Sequence, residues 1–152
     1  MAKKSAGILL YKVEGDVLQV FLVHPGGPFW AKKDNGAWTI PKGEFEESED
    51  PLDAAKREFE EETGTKISGK FIELEAVKQK GGKLVLAWAV EGDIDPAKIK
   101  SNDFEIEWPP GSGKRKSFPE VDKAAWFEST EATKKIIEAQ SSLIHKLKAI
   151  VK

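Results

Sequence analysis

The stretch GEFEESEDPLDAAKREFEEETGT, residues 43–65, carries the strongest structural signal in the sequence. It predicts a helix over Pro51–Thr63. Asp50 is a favourable N-cap residue, and proline is well tolerated in a first helical turn. Gly64 is suited to the left-handed conformation in which many helices end. The helix is therefore bounded at both ends by residues with a physical reason to be there.

The predicted helix has an apolar stripe and a separate acidic face. Glu58 lies three and four residues before Glu61 and Glu62, and like charges at these spacings cost roughly 0.2–0.5 kcal/mol per pair. Anions in a C-terminal turn also oppose the helix dipole, by roughly 0.3–1 kcal/mol each. The acidic face therefore destabilises the helix unless a cation binds there. The apolar stripe, which is expected to face a core, consists of Leu52, Ala55 and Phe59.

The charge distribution of the whole chain has the same focus. Residues 44–62 contain ten acids and two bases, a net charge of −8, whereas the rest of the chain carries +6. A solvated acidic surface is the ordinary explanation of such a run, but it does not explain three carboxylates on one helix face. Carboxylate oxygens suit Mg²⁺ or Mn²⁺, whereas zinc prefers His and Cys. We therefore expect a site for one of these hard divalent cations, where bound ions bridge phosphate oxygens and activate a water molecule.

Composition excludes several other classes of site. The 152 residues contain no cysteine and two histidines, so disulfides, thiolate zinc sites, iron–sulfur clusters and three-histidine zinc sites are excluded. The net charge of −2 argues against a dedicated nucleic-acid binder, and no apolar run approaches the length of a membrane span. We expect one domain over residues 1–152, a cytoplasmic location, no membrane or DNA partner, and a monomer or homodimer.

The motif GX5EX7REUXEEXGU, in which U is a bulky aliphatic residue, defines the Nudix box, and residues 43–65 resemble it at every glycine and charged position. Phe59 and Thr65 are mild departures at two of its apolar positions. The Pro-Lys-Gly entry at residues 41–43 and a late Trp-Phe pair at residues 126–127 are also similar to the family. The resemblance extends over nearly the whole chain and includes the MutT-like hydrolases.

This resemblance implies a Nudix-type α/β/α sandwich with a mixed β-sheet. It implies a pyrophosphohydrolase that uses Mg²⁺ or Mn²⁺ to cleave a nucleoside diphosphate linked to another moiety. By motif position, Arg57 orients a carboxylate of the helix, and Glu49 ties the loop to the helix or assists the metals. Glu61 is expected to be catalytic as well as a ligand. The expected metal ligands are the carbonyl of Gly43 and the carboxylates of Glu58, Glu61 and Glu62.

An acid outside the box often completes the site in this family. Glu120, six residues before Trp126, is the first candidate, and Glu105 and Glu107 are alternatives. For each of the three, an ordinary surface position is the competing interpretation.

The remaining sequence alternates strand-like and helix-like segments. Residues 5–13 and 17–24 predict a hairpin around Gly15, and a second hairpin is expected between residues 71–79 and 83–91. Residues 108–119, rich in Pro, Gly and basic residues, are interpreted as a loop. Further strands are expected at residues 37–40, 101–108 and 124–128, and further helices at residues 129–139 and 141–151.

The substrate is less well defined by the sequence. Trp38 and the Pro-Lys-Gly entry resemble the branch that acts on dinucleoside polyphosphates. The expected substrate-binding residues are Lys42, Trp30, His24 and Lys114. For each one, a structural or solvated role is the alternative interpretation. Two other functions are considered, namely pyrophosphate removal from 5′-triphosphorylated RNA or altered nucleotides, and a catalytically inactive nucleotide-sensing module.

Overall fold

The computed structural model describes residues 3–151, apart from the side chain of Lys80. Its α-helices are α1 Pro51–Thr63, α2 Ser129–Lys135 and α3 Ser141–Ile150. Its strands are β1 Lys4–Glu14, β2 Val17–Pro25, β3 Lys42–Glu44, β4 Ile72–Lys78, β5 Leu84–Glu91, β6 Asp103–Glu107, β7 Arg115–Pro119 and β8 Val121–Glu128.

The central sheet is mixed. Its strands follow the order β4-β5-β1-β2-β8, and β3 pairs with the start of β1. β1 runs parallel to β5, whereas its pairings with β2 and β3 are antiparallel. β6 and β7 form a separate antiparallel hairpin that immediately precedes β8. The long strand β1 therefore links the short β3 segment, where the acidic stretch begins, to the rest of the sheet.

Helices cover both faces of the sheet. Because side chains alternate along a strand, β1 contributes Ile8 to one face and Leu9 to the other. Ile8 belongs to the apolar cluster that contains Phe59 of α1, and Leu9 belongs to the cluster that contains Leu143 of α3. This arrangement confirms the expected mixed-sheet α/β/α architecture and places α1 and α3 on opposite faces of the sheet.

Helix α1 begins and ends where the sequence predicts. The Asp50 carboxylate accepts a hydrogen bond from the N–H of Asp53 at 3.1 Å. Gly64 has φ 77° and ends the helix in the left-handed conformation. Ala55 and Phe59 are fully buried, so the apolar stripe faces the core as expected.

One expectation for the segments before α1 is wrong. Residues 37–40 do not form a strand, because Trp38 and Thr39 make only isolated bridges. The strand lies further on, at β3, which pairs with Ser5–Gly7 of β1. The sequence gives little sign of β3, because Lys-Gly-Glu has low strand propensity and is held in the sheet by its partner.

The later part of the chain also differs from the expectations. Residues 115–119 of the expected loop form β7, whose pairing with β6 compensates for a basic sequence without apolar alternation. Helix α2 ends at Lys135 instead of residue 139, because the next residue, Ile136, is extended and buried. Among residues 3–151, no helix combines the length and apolarity needed to cross a bilayer.

Candidate active site

The site begins where β3 meets α1. A Cβ atom placed on Gly43 would lie 1.9 Å from Oε1 of Glu58, so the Glu58 carboxylate occupies the space that any other residue would need. Glu58 is only 8% exposed. The structure therefore brings the backbone of Gly43 and the Glu58 carboxylate together, as the metal-ligand prediction requires.

Arg57 connects three carboxylates. Its Nε and Nη2 donate to the two carboxylate oxygens of Glu49 at 2.9 and 3.0 Å. Its Nη1 donates to Oε2 of Glu58 at 2.7 Å and to Oε2 of Glu61 at 2.8 Å. These hydrogen bonds lower the pKa of Glu49 and raise that of Arg57. Arg57 thus fixes the box loop to the helix and holds two of the predicted metal ligands, the orienting role that the resemblance implies for it.

The carboxylate of Glu62 lies beside the backbone of Lys42, at the start of β3. Its Oε1 accepts a hydrogen bond from the backbone N–H of Lys42 at 3.3 Å. Burial raises the pKa of Glu62 to about 8, and the charge of Glu58 adds to this shift. Burial also lowers the pKa of the Lys42 ammonium, although the charge of Glu62 opposes that shift. Without a cation, the Glu62 carboxylate is therefore poorly stabilised as an anion.

Glu120 is close enough to α1 to perturb its carboxylates. Burial and the charge of Glu61 raise the pKa of Glu120, and the charge of Glu120 in turn raises the pKa of Glu58 and of Glu62. We refer to these four residues, Glu58, Glu61, Glu62 and Glu120, as the carboxylate cluster. The structure thus places the first-choice acid outside the box beside the predicted metal ligands.

The two alternative acids lie in the hairpin that precedes Glu120. Glu105 pairs with Arg115 across β6 and β7 at 3.2 Å. Glu107 accepts hydrogen bonds from the N–H groups of Gly111 and Gly113 and so closes the hairpin loop. Both carboxylates therefore have partners within the hairpin, unlike that of Glu120.

The residues of the cluster fit a hard divalent cation. All the donors are oxygens, Gly43 leaves room beside Glu58, and burial disfavours the uncompensated charges of Glu58 and Glu62. Within residues 3–151, no three acidic or histidine side chains stand close enough together to hold a metal ion. Arg57 Nη1 instead lies between the carboxylates of Glu58 and Glu61 and forms a salt bridge to each.

Two hollows share Arg57 in their walls, so the centre of the site is accessible. One, of about 710 Å³, follows the box loop and also contacts Lys3, Lys4 and Glu49. The other, of about 490 Å³, is lined by Glu61 and Lys100 among others.

His24 lies away from the solvent. Its ring is completely buried, with Nδ1 2.8 Å from Oδ1 of Asp122 and Nε2 2.7 Å from the carbonyl of Lys33. Both ring nitrogens are therefore occupied by protein partners, and neither is free for a substrate. Asp122 was not identified from the sequence. Its position two residues after Glu120 is the sequence feature that could have pointed to it.

The other predicted substrate-binding residues differ in exposure, and Lys42 is half-buried beside Glu62. Trp30 is half-buried, with the Lys33 ammonium 5.1 Å from its ring centre. Its neighbour Phe29 is 62% exposed and meets the ring of Trp108 edge-on at 5.5 Å. Lys114 is exposed in the loop between β6 and β7. Phe29 thus lies beside the end of β6, and Lys114 belongs to the loop of the same hairpin.

A protein-family model matches nearly the whole chain. The family model described as NUDIX domain matches residues 1–147. The matched range contains the box, all four residues of the carboxylate cluster and most of α3.

Two curated proteins are similar in sequence. A bis(5'-nucleosyl)-tetraphosphatase [asymmetrical] of Rattus norvegicus is 29% identical over 118 residues, which cover 70% of this chain and 71% of that protein. An RNA pyrophosphohydrolase of Bartonella henselae is 36% identical over 66 residues, 41% of this chain. The latter match spans only about a third (35%) of the relative's length.

A solved structure supports the fold. A binary complex of C. elegans Ap4A hydrolase superimposes with a TM-score of 0.68 and 22% sequence identity. The superposition covers 99% of this chain and 98% of the other. The similarity therefore extends over the sheet and the helices on both of its faces.

Proposed function

The chain belongs to the Nudix family, and from this premise we propose that it is a divalent-metal-dependent pyrophosphohydrolase. The proposed reaction is cleavage of a phosphoanhydride bond in a nucleoside diphosphate linked to another moiety. The observation that carries the proposal is the carboxylate cluster against the backbone of Gly43, with Arg57 bridging Glu58 and Glu61. A surface acidic helix does not need a buried glutamate packed against a glycine backbone and linked to a second glutamate by one guanidinium, whereas both features favour a cation-binding site.

The proposed metal ligands are the carbonyl of Gly43 and the carboxylates of Glu58, Glu61 and Glu62. Mg²⁺ or Mn²⁺ held there would neutralise the diphosphate and lower the pKa of an attacking water molecule. The raised pKa of Glu62 favours this assignment, because a cation stabilises the anionic form that burial disfavours.

Residues of the chain are proposed to orient a metal ligand and to accept a proton. Arg57 holds the carboxylate of Glu61 by its Nη1 while Glu49 fixes the opposite edge of the guanidinium. Glu120, whose pKa is raised, is the proposed proton acceptor at its carboxylate oxygens, with Glu61 as the second candidate. A carboxylate with a raised pKa is a stronger base than an ordinary carboxylate, and a general base works best when its pKa lies near the operating pH.

We propose a dinucleoside polyphosphate as the substrate. The named activities of the rat relative and of the C. elegans structural neighbour support this class. Lys42 and Lys114 are the proposed phosphate contacts, and Trp30 is proposed to stack on a base.

The proposed enzyme acts in the cytoplasm as a monomer or homodimer. Light scattering after size-exclusion chromatography tests the oligomeric state.

A 5′-triphosphorylated RNA is the second candidate substrate. It is favoured by the 36% identity with the RNA pyrophosphohydrolase, over a match of 66 residues. Two exposed basic residues of the hairpin, Lys114 and Lys116, suit either polyanion.

A substrate panel tests the proposal. The purified protein is incubated with Mg²⁺ or Mn²⁺ and with dinucleoside polyphosphates, nucleoside triphosphates, altered nucleotides and triphosphorylated RNA in turn. Products are resolved by mass, and ¹⁸O water identifies the attacked phosphorus. Metal-dependent turnover of a dinucleoside polyphosphate supports the proposal. Tight binding without any product after long incubation with Mn²⁺ would instead indicate an inactive sensing module.

A further inference from the structure

Strand β8 contains an irregularity immediately after Glu120. In its pairing with β2, Lys123 lies opposite His24 and Val121 lies opposite Pro25, so Asp122 is an extra residue with no partner strand residue opposite it. Such β-bulges bend the chain and redirect the neighbouring side chains, and they are frequent beside active sites. The bulged residue Asp122 thus lies two residues after Glu120, the acid whose charge perturbs the carboxylates of α1.

His24 joins this bulge to a second segment of the chain. Its Nδ1 is 2.8 Å from Asp122, and its Nε2 is 2.7 Å from the carbonyl oxygen of Lys33. A carbonyl oxygen only accepts, so Nε2 must carry a hydrogen. Trp38 packs against the ring in a T-shaped contact at 5.2 Å. A fully buried ring with both nitrogens bonded has one orientation, and it therefore fixes Asp122.

The backbone of Glu120 is fixed from both sides. Its carbonyl accepts the N–H of Gly26, two residues after His24, at 2.9 Å. Its own N–H donates to the carbonyl of Asn102, and the N–H of Asn102 donates to the carbonyl of Glu61. These backbone hydrogen bonds thus connect Gly26, just after β2, through Glu120 and Asn102 to Glu61 of α1.

We propose that His24 is a positioning residue, which through Asp122 fixes the bulge that holds Glu120 against the carboxylate cluster. This inference rests on the proposed function and replaces the substrate contact expected for His24. It assigns His24 no contact with the reacting phosphates. The effect of changing His24 must therefore pass through Glu120.

Two substitutions separate the partners of His24. The side-chain nitrogen of Asn reaches roughly the position of Nδ1, whereas that of Gln reaches roughly the position of Nε2. His24→Asn is thus expected to keep the bond to Asp122, and His24→Gln to lose it. We expect His24→Gln to lower kcat by about tenfold or more with little change in KM, because small displacements of catalytic groups are costly. His24→Asn is expected to retain most of kcat.

A double-mutant cycle with Glu120→Gln shows whether the effect passes through Glu120. In that background, His24→Gln should cost less than about twofold, because interacting residues are not additive. Val23→Ala, in the buried core of the same strand, is the matched control for a general loss of stability and should cost the same in both backgrounds. An equal cost of His24→Gln in both backgrounds, or equal losses for Asn and Gln, overturns the inference.

Hydrogen exchange provides a readout that does not depend on turnover. The N–H of Gly26, bonded to Glu120, should exchange at least about tenfold faster in His24→Gln than in His24→Asn, since local opening sets exchange. Unchanged exchange refutes the positioning role even in an active enzyme. If the wild-type protein hydrolyses no member of the substrate panel, the proposed function fails, while the exchange rates still decide whether His24 holds this segment.

Discussion

Two regions of the molecule each pair a basic side chain with acidic residues. They differ in the sequence separation of the partners and in the exposure of the basic side chain. Arg57 binds Glu49, Glu58 and Glu61, all within eight residues of itself, and its side chain is 39% exposed. His24 binds Asp122, which is 98 residues away in the sequence, and its ring is completely buried.

The difference shows how each region depends on the rest of the fold. The Arg57 region is built on one helix and the loop before it, so its geometry follows from local spacing. Solvent also reaches it, so cations and phosphates can enter. The His24 region exists only after β2 and β8 have paired, and it has no accessible ring nitrogen. The first region is therefore suited to chemistry, and the second to holding one member of the cluster in place.

The largest expected effect comes from the Arg57 region. Glu61→Gln should lower kcat by about 10³-fold or more with Mg²⁺ saturating, because it removes the charge of a proposed metal ligand and catalytic group from the cluster. The fold should be retained, since the side chain is partly exposed. Steady-state kinetics and circular dichroism measure the two quantities.

Glu60→Gln is the matched control for that substitution. Glu60 precedes Glu61 on the same helix, is exposed, and lies outside the carboxylate cluster. We expect its kcat to stay within about twofold of the wild type, as is usual for a surface change. Near-normal turnover of Glu61→Gln would refute the metal-site assignment.

A pair of glycine substitutions compares the two regions directly. Gly43→Ala and Gly26→Ala each place a Cβ atom 1.9 Å from another atom, and neither glycine has a positive φ. At Gly43 the obstructed atom is the carboxylate oxygen of Glu58, which can move away. At Gly26 it is the backbone carbonyl of Pro119, which cannot move without disturbing the strand.

The two variants should therefore fail in different ways. Gly43→Ala should lose about 100-fold in kcat, because the proposed metal ligand Glu58 is displaced, with a small change in the unfolding free energy of the metal-free protein. Gly26→Ala should lose about 1–3 kcal/mol of stability or more, as overpacking against backbone does. Kinetics and urea unfolding measure both. Equal stability losses would contradict the distinction between the two regions.

The sequence predicts the first region well for a physical reason. Helix caps, apolar spacing and repelling carboxylates all act within residues 43–65, where spacing along the chain determines distance in space. Residues outside that stretch are less predictable. Glu120 is found by its distance from Trp126 in the motif pattern, whereas its neighbour Asp122 has no such pattern. The position of His24 next to an aromatic loop suggests a ligand contact, because its distant partner is not visible in a single sequence.

Strand prediction shows the same limit. β3 and β7 have polar or glycine-containing sequences, and each is stabilised by its partner strand. The length of α2 is likewise set by burial of Ile136 against the rest of the core. Local propensity cannot report either effect, because both depend on neighbours that are remote along the chain.

The expected effect with the least influence on turnover is a pH-dependent stability of the metal-free protein. Folding raises the pKa of Glu62 from 4.5 to about 8, so between these values the folded state binds more protons than the unfolded state. The unfolding free energy should then fall as the pH rises from about 5 to 8, by up to a few kcal/mol. A loss of that size corresponds to roughly 2–4 °C in Tm per kcal/mol, measured by thermal unfolding in a chelator.

Three further measurements assign this slope to the Arg57 region. Glu62→Gln should remove most of it, because a neutral amide does not titrate, whereas Glu60→Gln should leave it unchanged. Mg²⁺ should raise Tm more at pH 8 than at pH 5, because the cation binds deprotonated carboxylates. A slope that persists in Glu62→Gln would show that its source lies elsewhere in the chain. The raised pKa of Glu62 would then no longer support the proposal that this buried carboxylate binds a cation.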